Sequence, residues 1–396
     1  MRIRERKVAN AGEAVAAAHS NPIGLKGDAR YTEMAKIMDM DAKPQGAKWH
    51  WSSRLKVING WFGGFRVGYE KGRRLVSHAT RDDREKRLFQ CFKQLWELGF
   101  RIEHPSNLAS KHIVALVEFW TGQRAMIIKM GKVTRPIFKI YSPKTIENWL
   151  SALRTLCGWL GKNDVVMPKK FYATEAHPLK CTGIAQEDKS WEAANIDFKK
   201  IMQDAFDEDS AVATQLMVMS VFGLRIKEAV MFNVYDSDRG SSLYIKKGAK
   251  GGRPRSIEIT TVEQRETLEL VKGFMRLRSG VDHLGSTGRD LEQALQRSYY
   301  ILKKIGITKK NLGVTAHGLR HGFCQQLMVN MGLIPAIKGG LPDQMTKEER
   351  TRIERAVSEA LGHTRPSITT AYGGSFYSPQ LKITSFNVKD MNNDPR

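Results

Sequence analysis

The sequence predicts a mainly α-helical protein with a small β component: a helical domain followed by a larger mixed α/β domain. Three observations carry this. Apolar residues recur at helical spacing through much of the chain after residue 77. Strand-like alternation is concentrated in Leu243/Ile245 and Ile257/Ile259. The chain has 396 residues, 41% hydrophobic and 27% charged, which suits two or three domains with real cores and excludes wholesale disorder.

Residues 1–76 are Gly-rich and basic, with a net charge of about +8. Trp49, Trp51, Trp61, Phe62, Phe65 and Tyr69 are interleaved there with Arg54, Lys56, Arg66, Lys71, Arg73 and Arg74. Two readings stand side by side: an aromatic and cationic surface for nucleic acid, or a small satellite core with a solvated basic rim. Residues 77–165 read as a helical unit. Thr80 precedes Leu88, Phe89, Phe92, Leu95 and Leu98 at helical spacing, and Ser110 is placed to cap a helix carrying Ile113, Leu116 and Val117. Ser142-Pro143 opens a third helix through Ile146, Leu150, Leu153 and Leu160, which Gly161 stops.

Residues 166–189 hold two prolines and the lysine pair Lys169-Lys170 with little periodicity, and are expected to form a linker. The second domain is expected over 190–376. Asp209-Ser210 opens an apolar helix that Gly223 ends. Strands at 243–247 and 255–260 flank the turn Gly248-Ala249-Lys250-Gly251-Gly252 as a hairpin. Helices are expected at 262–279, 289–305, 316–331 and 347–361, the last with a Thr346/Glu349 capping box. Residues 377–396 form a tail whose Leu381, Ile383, Phe386 and Val388 need an apolar partner surface.

The net charge of +23 favours a polyanionic partner, since each cation that neutralises a phosphate releases condensed counterions. The four cysteines, Cys91, Cys157, Cys181 and Cys324, form no CxxC pair, which leaves a zinc ribbon or redox motif without support and fits a reducing compartment. The basic N-terminus has no apolar stretch of signal-peptide type behind it, and no segment reaches the apolar length of a membrane span. The expected location is therefore the cytoplasm, at the nucleoid, with no membrane partner.

Three segments concentrate residues suited to phosphate chemistry. Gly223-Leu224-Arg225 is followed by Glu228, His317-Gly318-Leu319-Arg320 comes next, and Leu361-Gly362-His363 stands nine positions before Tyr372. Arginine offers a planar fork of donors matched to phosphate oxygens, imidazole handles protons, and a phenol can act as nucleophile. His317 and Arg320 lie one turn apart, so they share a helix face, and His321 joins them in a supporting role. Arg225 taken alone reads first as a salt-bridge partner of Glu228, one turn away. Lys250, at the Gly-flanked hairpin tip, can reach a leaving oxygen and protonate it, with Lys246, Lys247 and Arg253 competing for that role. Gly373-Gly374 would let Tyr372 move. Tyr299, Tyr300 and Tyr377 lack the spacing from His363.

Together these segments resemble the tyrosine recombinase (phage integrase) family over about residues 180–385. Arg225 matches the first arginine of a G-L-R-x-x-E motif, Lys250 the hairpin lysine, His317 and Arg320 the H-x-L-R motif, His363 the L-G-H motif, and Tyr372 the nucleophile. Glu228 falls on the acidic position that supports the active site. One departure is the interval from Arg320 to His363, about twenty residues longer than in compact members, with the excess near 338–355.

The resemblance implies a helical core-binding domain at 77–165 and a mixed α/β tyrosine-recombinase catalytic domain. It implies cleavage of double-stranded DNA at attachment-type sites through a 3′-phosphotyrosine intermediate and a Holliday junction. No cofactor or metal is expected. A homotetramer on DNA, a monomer when free, DNA-bending helper proteins and a mobile-element origin belong to the same expectation, with the tail docking on a neighbouring subunit. The segment before residue 76 corresponds to an arm-type DNA-binding region that cleavage of a short core site would not need. Arg54, Lys56, Arg66, Arg73, Arg74, Lys246, Lys247, Arg253 and Arg255 are further candidate DNA contacts. The rivals are a type IB topoisomerase and a DNA-binding protein with a vestigial site.

Overall fold

In a computed structural model, residues 27–40, 50–64, 76–130, 133–278, 281–285 and 288–377 are described. The chain divides into two units between Cys181 and Thr182. Arg66, Arg73, Arg74 and the tail beyond Tyr377 lie outside the described residues.

The first unit holds helices α1 (Gly27–Met40), α2 (His50–Phe62), α3 (His78–Glu97) and α4 (Ser110–Trp120), hairpin strands β1 (Met126–Met130) and β2 (Val133–Ile137), and α5 (Pro143–Trp159). Its core is continuous. Met34, Ile37, Trp51, Leu55 and Ile58 are buried in one cluster with Leu88, Phe92, Leu116, Leu150 and Leu153. The described part of residues 1–76 is thus built into the helical unit rather than standing before it. Trp51 stacks on Phe92 at 5.6 Å, which favours the reading of these aromatics as core. Arg54 is engaged by Asp39 at 2.5 Å and by the Glu103 carbonyl at 3.3 Å.

Two caps differ from expectation. Ser77 caps α3 by accepting from Thr80 N, because its extended backbone aims the hydroxyl at that amide. Ser110 is the first helical residue of α4, and Ala109 N donates instead to His112 Nδ1 at 3.0 Å. Ser142 caps α5 as expected. The β1–β2 hairpin was not anticipated. Val166 and Leu179 are buried in this core, so the expected linker is packed up to its division at Cys181.

The second unit holds α6 (Phe198–Glu208), α7 (Ser210–Phe222), α8 (Ile226–Val230), α9 (Val234–Ser237), β3 (Ser242–Ile245), β4 (Arg255–Glu258), α10 (Val262–Leu277), α11 (Leu291–Lys304), α12 (His317–Asn330), α13 (Lys347–Ala360) and α14 (Thr370–Gly373). Asp209 caps α7 through two backbone amides. β3 and β4 pair antiparallel with Leu243 opposite Ile257, and both side chains are buried. The core around α7 takes in α6, α10 and α12. A second cluster joins Cys324, Met328, Ile353, Val357 and Leu361 to Tyr372.

The extra residues near 338–355 form a closed turn and a capped helix. Gly339 adopts φ 88°. The Gln344 side chain accepts from Ile334 N at 2.8 Å and donates to Ile334 O and Leu341 O at 2.9 Å each. Thr346 and Glu349 then form the reciprocal cap. Among the described residues no helix is long and apolar enough to cross a membrane.

Candidate active site

The site begins at Gly223. Its φ of +59° ends α7, and a Cβ there would lie 2.3 Å from the Phe323 ring. The chain therefore turns sharply and presents Arg225 as the residue before α8. Glu228, one turn on, reaches back. Its carboxylate accepts from Arg225 N at 2.7 Å and from Arg225 Nη1 at 2.8 Å. Arg255 donates to the same carboxylate through both terminal nitrogens, at 2.7 and 2.8 Å. Burial alone would raise the Glu228 pKa, but the Arg255 fork and Arg225 outweigh it and hold the carboxyl at about 2. Glu228 is thus ionised and locked between two guanidinium groups. Arg255 was expected as a DNA contact. Its side chain is only 3% exposed because it belongs to this buried pair, and it is corrected to a structural partner.

Arg320 is completely buried. Its Nη1 donates to Gly223 O at 2.6 Å, its Nη2 to Leu361 O at 2.5 Å, and its Nε to the Tyr372 hydroxyl at 3.3 Å. Arg225 Nη2 approaches the same Leu361 carbonyl at 3.4 Å and His363 Nε2 at 3.3 Å. A guanidinium can only donate, so His363 Nε2 accepts and its proton sits on Nδ1. The carbonyl end of α13, where helix-dipole charge is negative, thereby draws the two arginines together. Gly362, at φ +70°, where a Cβ would lie 3.0 Å from Arg255 Cδ, lets the chain turn to His363.

Three imidazoles surround Tyr372. Ring centroids lie 6.2 Å away for His317, 6.2 Å for His363 and 4.8 Å for His321. Each is pushed down to about 4. For His317 and His363 burial is the larger cause, followed by Arg320 and Arg225; for His321 it is burial, then His317. All three are neutral at pH 7, so each can accept or donate a proton.

Tyr372 is 6% exposed on the short helix α14. Gln325, buried on α12, donates to the Tyr372 carbonyl at 3.1 Å and to Asp188 at 2.9 Å. Neither Gln325 nor Asp188 stood out in the sequence, since a Gln–Asp pair across 137 residues leaves no periodic signal. Gly373 is needed for close approach: a Cβ would meet Met328 Sδ at 3.1 Å. Gly374 takes φ +76°.

Lys250 is exposed on the hairpin turn, where Gly251 and Gly252 have positive φ. It is among the cations that depress His363, which sets it within electrostatic reach of the cluster. Lys247 is paired with Asp236 at 3.0 Å, while Lys246 and Arg253 are exposed. Arg225, His317, Arg320, His363 and Tyr372 thus come together, with Lys250 at the rim. The hydroxyl of Tyr377, five residues beyond Tyr372, accepts from Arg350 instead.

Residues 182–326 match the family model described as Integrase. Over 154 residues the chain is 28% identical to Tyrosine recombinase XerA of Thermococcus onnurineus (strain NA1), a match covering 38% of this chain and 46% of that protein. The chain thus spans about half the length of this curated relative. Among solved structures it is similar to a lambda integrase(75-356) dimer bound to a COC′ core site, at 14% identity and TM-score 0.46, over 77% of this chain and 91% of that one. It is also similar to the XerH site-specific recombinase bound to a palindromic difH substrate, at 15% identity and TM-score 0.46, over 87% and 89% of the two chains. Its ordered arginine, histidine and tyrosine motifs and these matches make the chain similar to tyrosine recombinases (phage integrases) over part of its length.

Proposed function

We propose that the chain is a site-specific DNA recombinase that cuts and rejoins strands through Tyr372. The observation that carries this reading is the direct approach of the Arg320 guanidinium to the Tyr372 hydroxyl at 3.3 Å, inside a cluster of neutral histidines. The nucleophile and the group that would hold the phosphate are already adjacent.

Each Arg320 terminal nitrogen keeps a second N–H for a phosphoryl oxygen, and Arg225 keeps one on Nη1. Both are held by carbonyls or by Glu228, so they need no reorganisation as charge builds on a pentacovalent phosphorus. Tyr372 Oη forms the new bond to phosphorus and loses its proton to a neutral imidazole, for which His317 is the proposed acceptor. The bond from phosphorus to the 5′ oxygen breaks, and Lys250 supplies that oxygen with its proton. A 3′-phosphotyrosine and a free 5′-hydroxyl result. Attack by the partner strand's 5′-hydroxyl reverses these steps. The phosphodiester energy is kept throughout, so no nucleotide is required. His363 neighbours Arg225 and would donate to a phosphoryl oxygen.

The finer reading is an integrase of a mobile element, acting on attachment-type sites as a tetramer through a Holliday junction, at nucleoid DNA and with DNA-bending helper proteins. The tail beyond Tyr377 would dock on a neighbouring subunit. The test is capture of covalent adduct on nicked duplex DNA. Tyr372→Phe should fold and bind DNA but form no adduct, while Tyr377→Phe should form it normally. Adduct from Tyr372→Phe would sink the assignment. Wild-type adduct that relaxes supercoils without recombinant product would favour the topoisomerase alternative, and absence of adduct a vestigial site.

A further inference from the structure

The helix that carries Tyr372 is too short to hold its own position. α14 is four residues long, and a single turn gains too few hydrogen bonds to be stable alone. A helix also leaves its last carbonyls without intrahelical donors, and here two donors arrive from outside α14. Ala185 N donates to Thr370 O at 2.9 Å, and Gln325 Nε2 donates to Tyr372 O at 3.1 Å.

Gln325 is completely buried on α12. Its amide nitrogen has two N–H groups and meets two acceptors, the Tyr372 carbonyl and Asp188 Oδ1, the latter at 2.9 Å. Burial would raise the Asp188 carboxyl, but the bonds from Gln325 and Ser190 outweigh it and keep it ionised. Both partners of the amide can then only accept, which fixes its orientation. Gln325 Oε1 is buried with no hydrogen-bond partner among the described residues. An unpaired buried carbonyl destabilises a fold, so packing alone does not account for a glutamine here. Asp188 is held in turn: its Oδ1 accepts from Ser190 N at 2.8 Å. The segment around it lies close on α12. A Cβ on Gly318 would come 2.5 Å from Lys189 O, and Trp191 Nε1 donates to Thr315 O at 2.8 Å. Gly318, Gly322 and Gln325 follow at helical spacing on one face of α12, the face that receives this segment.

We propose that Gln325, set in place by Asp188, is a positioning residue for strand cleavage: it fixes the α14 backbone so that the Tyr372 hydroxyl stays at Arg320. This rests on the reading of Tyr372 as the nucleophile. Gln325 bonds the backbone of Tyr372 and acts through it. Without that bond the short helix would shift, and the hydroxyl would leave its attacking position.

The test uses the full chain and three measurements: adduct rate on nicked duplex DNA at saturating protein, DNA affinity, and hydrogen exchange of the Gly374 amide without DNA. That amide donates to Thr370 O across α14. Gln325→Met keeps the length of the side chain and removes both donors. Its adduct rate should fall about 10- to 100-fold, with affinity and thermal midpoint near wild type and Gly374 exchange about 10-fold faster. Asp188→Ala should shift rate and exchange the same way by less. Asp188→Asn should recover the rate, because its amide oxygen still accepts from Gln325. Should Gln325→Met unfold, the half-buried Asp188→Ala carries the same test. Wild-type adduct rates in both variants would overturn the proposal, as would a slower rate with unchanged Gly374 exchange. A loss that Asp188→Asn does not recover would assign the effect to the Asp188 charge near His321 and overturn it too. A wild-type chain that forms no adduct defeats cleavage by Tyr372, and Gly374 exchange in Gln325→Met then decides the hold on α14: faster exchange sustains it, unchanged exchange removes it.

Discussion

At the scale of single residues, the site is organised around one carboxylate. Glu228 takes four hydrogen bonds from Arg225 and Arg255 while completely buried. Removing its charge leaves two guanidinium groups facing a neutral amide. Glu228→Gln should therefore destabilise the second unit by about 3–5 kcal/mol, the cost of breaking a buried pair from one side, read as a lower urea midpoint. A loss under about 1 kcal/mol would mean the arginines find other acceptors. The histidines predict a pH response. Their folded pKa values, about 4, lie below the ordinary 6.5. The unfolded chain thus binds more protons between these limits, and stability is full above pH 6.5 and falls as pH drops toward 4. A bound phosphate would favour the imidazolium, so at fixed salt DNA affinity should rise from pH 7 to pH 5.5 and His363→Asn should blunt that rise. Affinity flat with pH in wild type would place the phosphate away from these rings. The motif residues were legible in the sequence because their order and spacing are chemical. Arg255 was misread although the signal was there: strand alternation that turns Ile257 inward also turns Arg255 inward.

At the scale of elements, helices with strong caps were readable and the irregular pieces were not. α10, α11, α12 and α13 fall within two residues of their expected limits, since apolar period and capping boxes are local signals. The β1–β2 hairpin escaped because Met126-Ile127-Ile128 is a short apolar run that could equally extend a helix. The inserted stretch, which runs into α13, has a role that spacing could not reveal. Arg350, nearly buried, donates to Pro342 O at 3.1 Å and to the Tyr377 hydroxyl at 2.5 Å. Its guanidinium also lies over the Phe376 and Tyr377 rings, at 5.2 and 5.1 Å. It pins the chain four and five residues after Tyr372. Losing two cation–π contacts and a hydrogen bond would free that segment. Arg350→Ala should slow adduct formation about 10-fold with DNA affinity unchanged. Arg350→Lys should recover part of the rate through the ring contacts, and Tyr377→Phe should stay near wild type. Adduct formation by Arg350→Ala at the wild-type rate would show that the segment is held by other means.

At the scale of the whole molecule, the sequence suggested an N-terminal arm separable at residue 76, and the described core says otherwise. An arm-type segment should be removable with cleavage of a short core site intact. Here Met34, Ile37, Met38, Trp51, Leu55, Ile58 and Phe62 are buried against Leu88, Phe92 and the rest of the first core. The basic, aromatic composition hid this, because Trp and Phe among lysines serve a core and a nucleic-acid surface alike; only the three-dimensional neighbours decide. At roughly 1.5–3 kcal/mol for each large apolar side chain buried, removing seven costs about as much as the whole stability of a typical domain, about 5–15 kcal/mol, or more. Deleting residues 1–75 should therefore unfold the first unit and expose its tryptophans. The second unit has its own clusters around α7 and around Tyr372 and should stay folded. The measurement is hydrogen exchange on the truncated chain: amides of α3, α4 and α5 should lose protection while those of α7 and α12 keep it. Cleavage of a short core site should fall with the lost unit. A truncated protein with protected α3–α5 amides and normal core-site cleavage would restore the detachable arm.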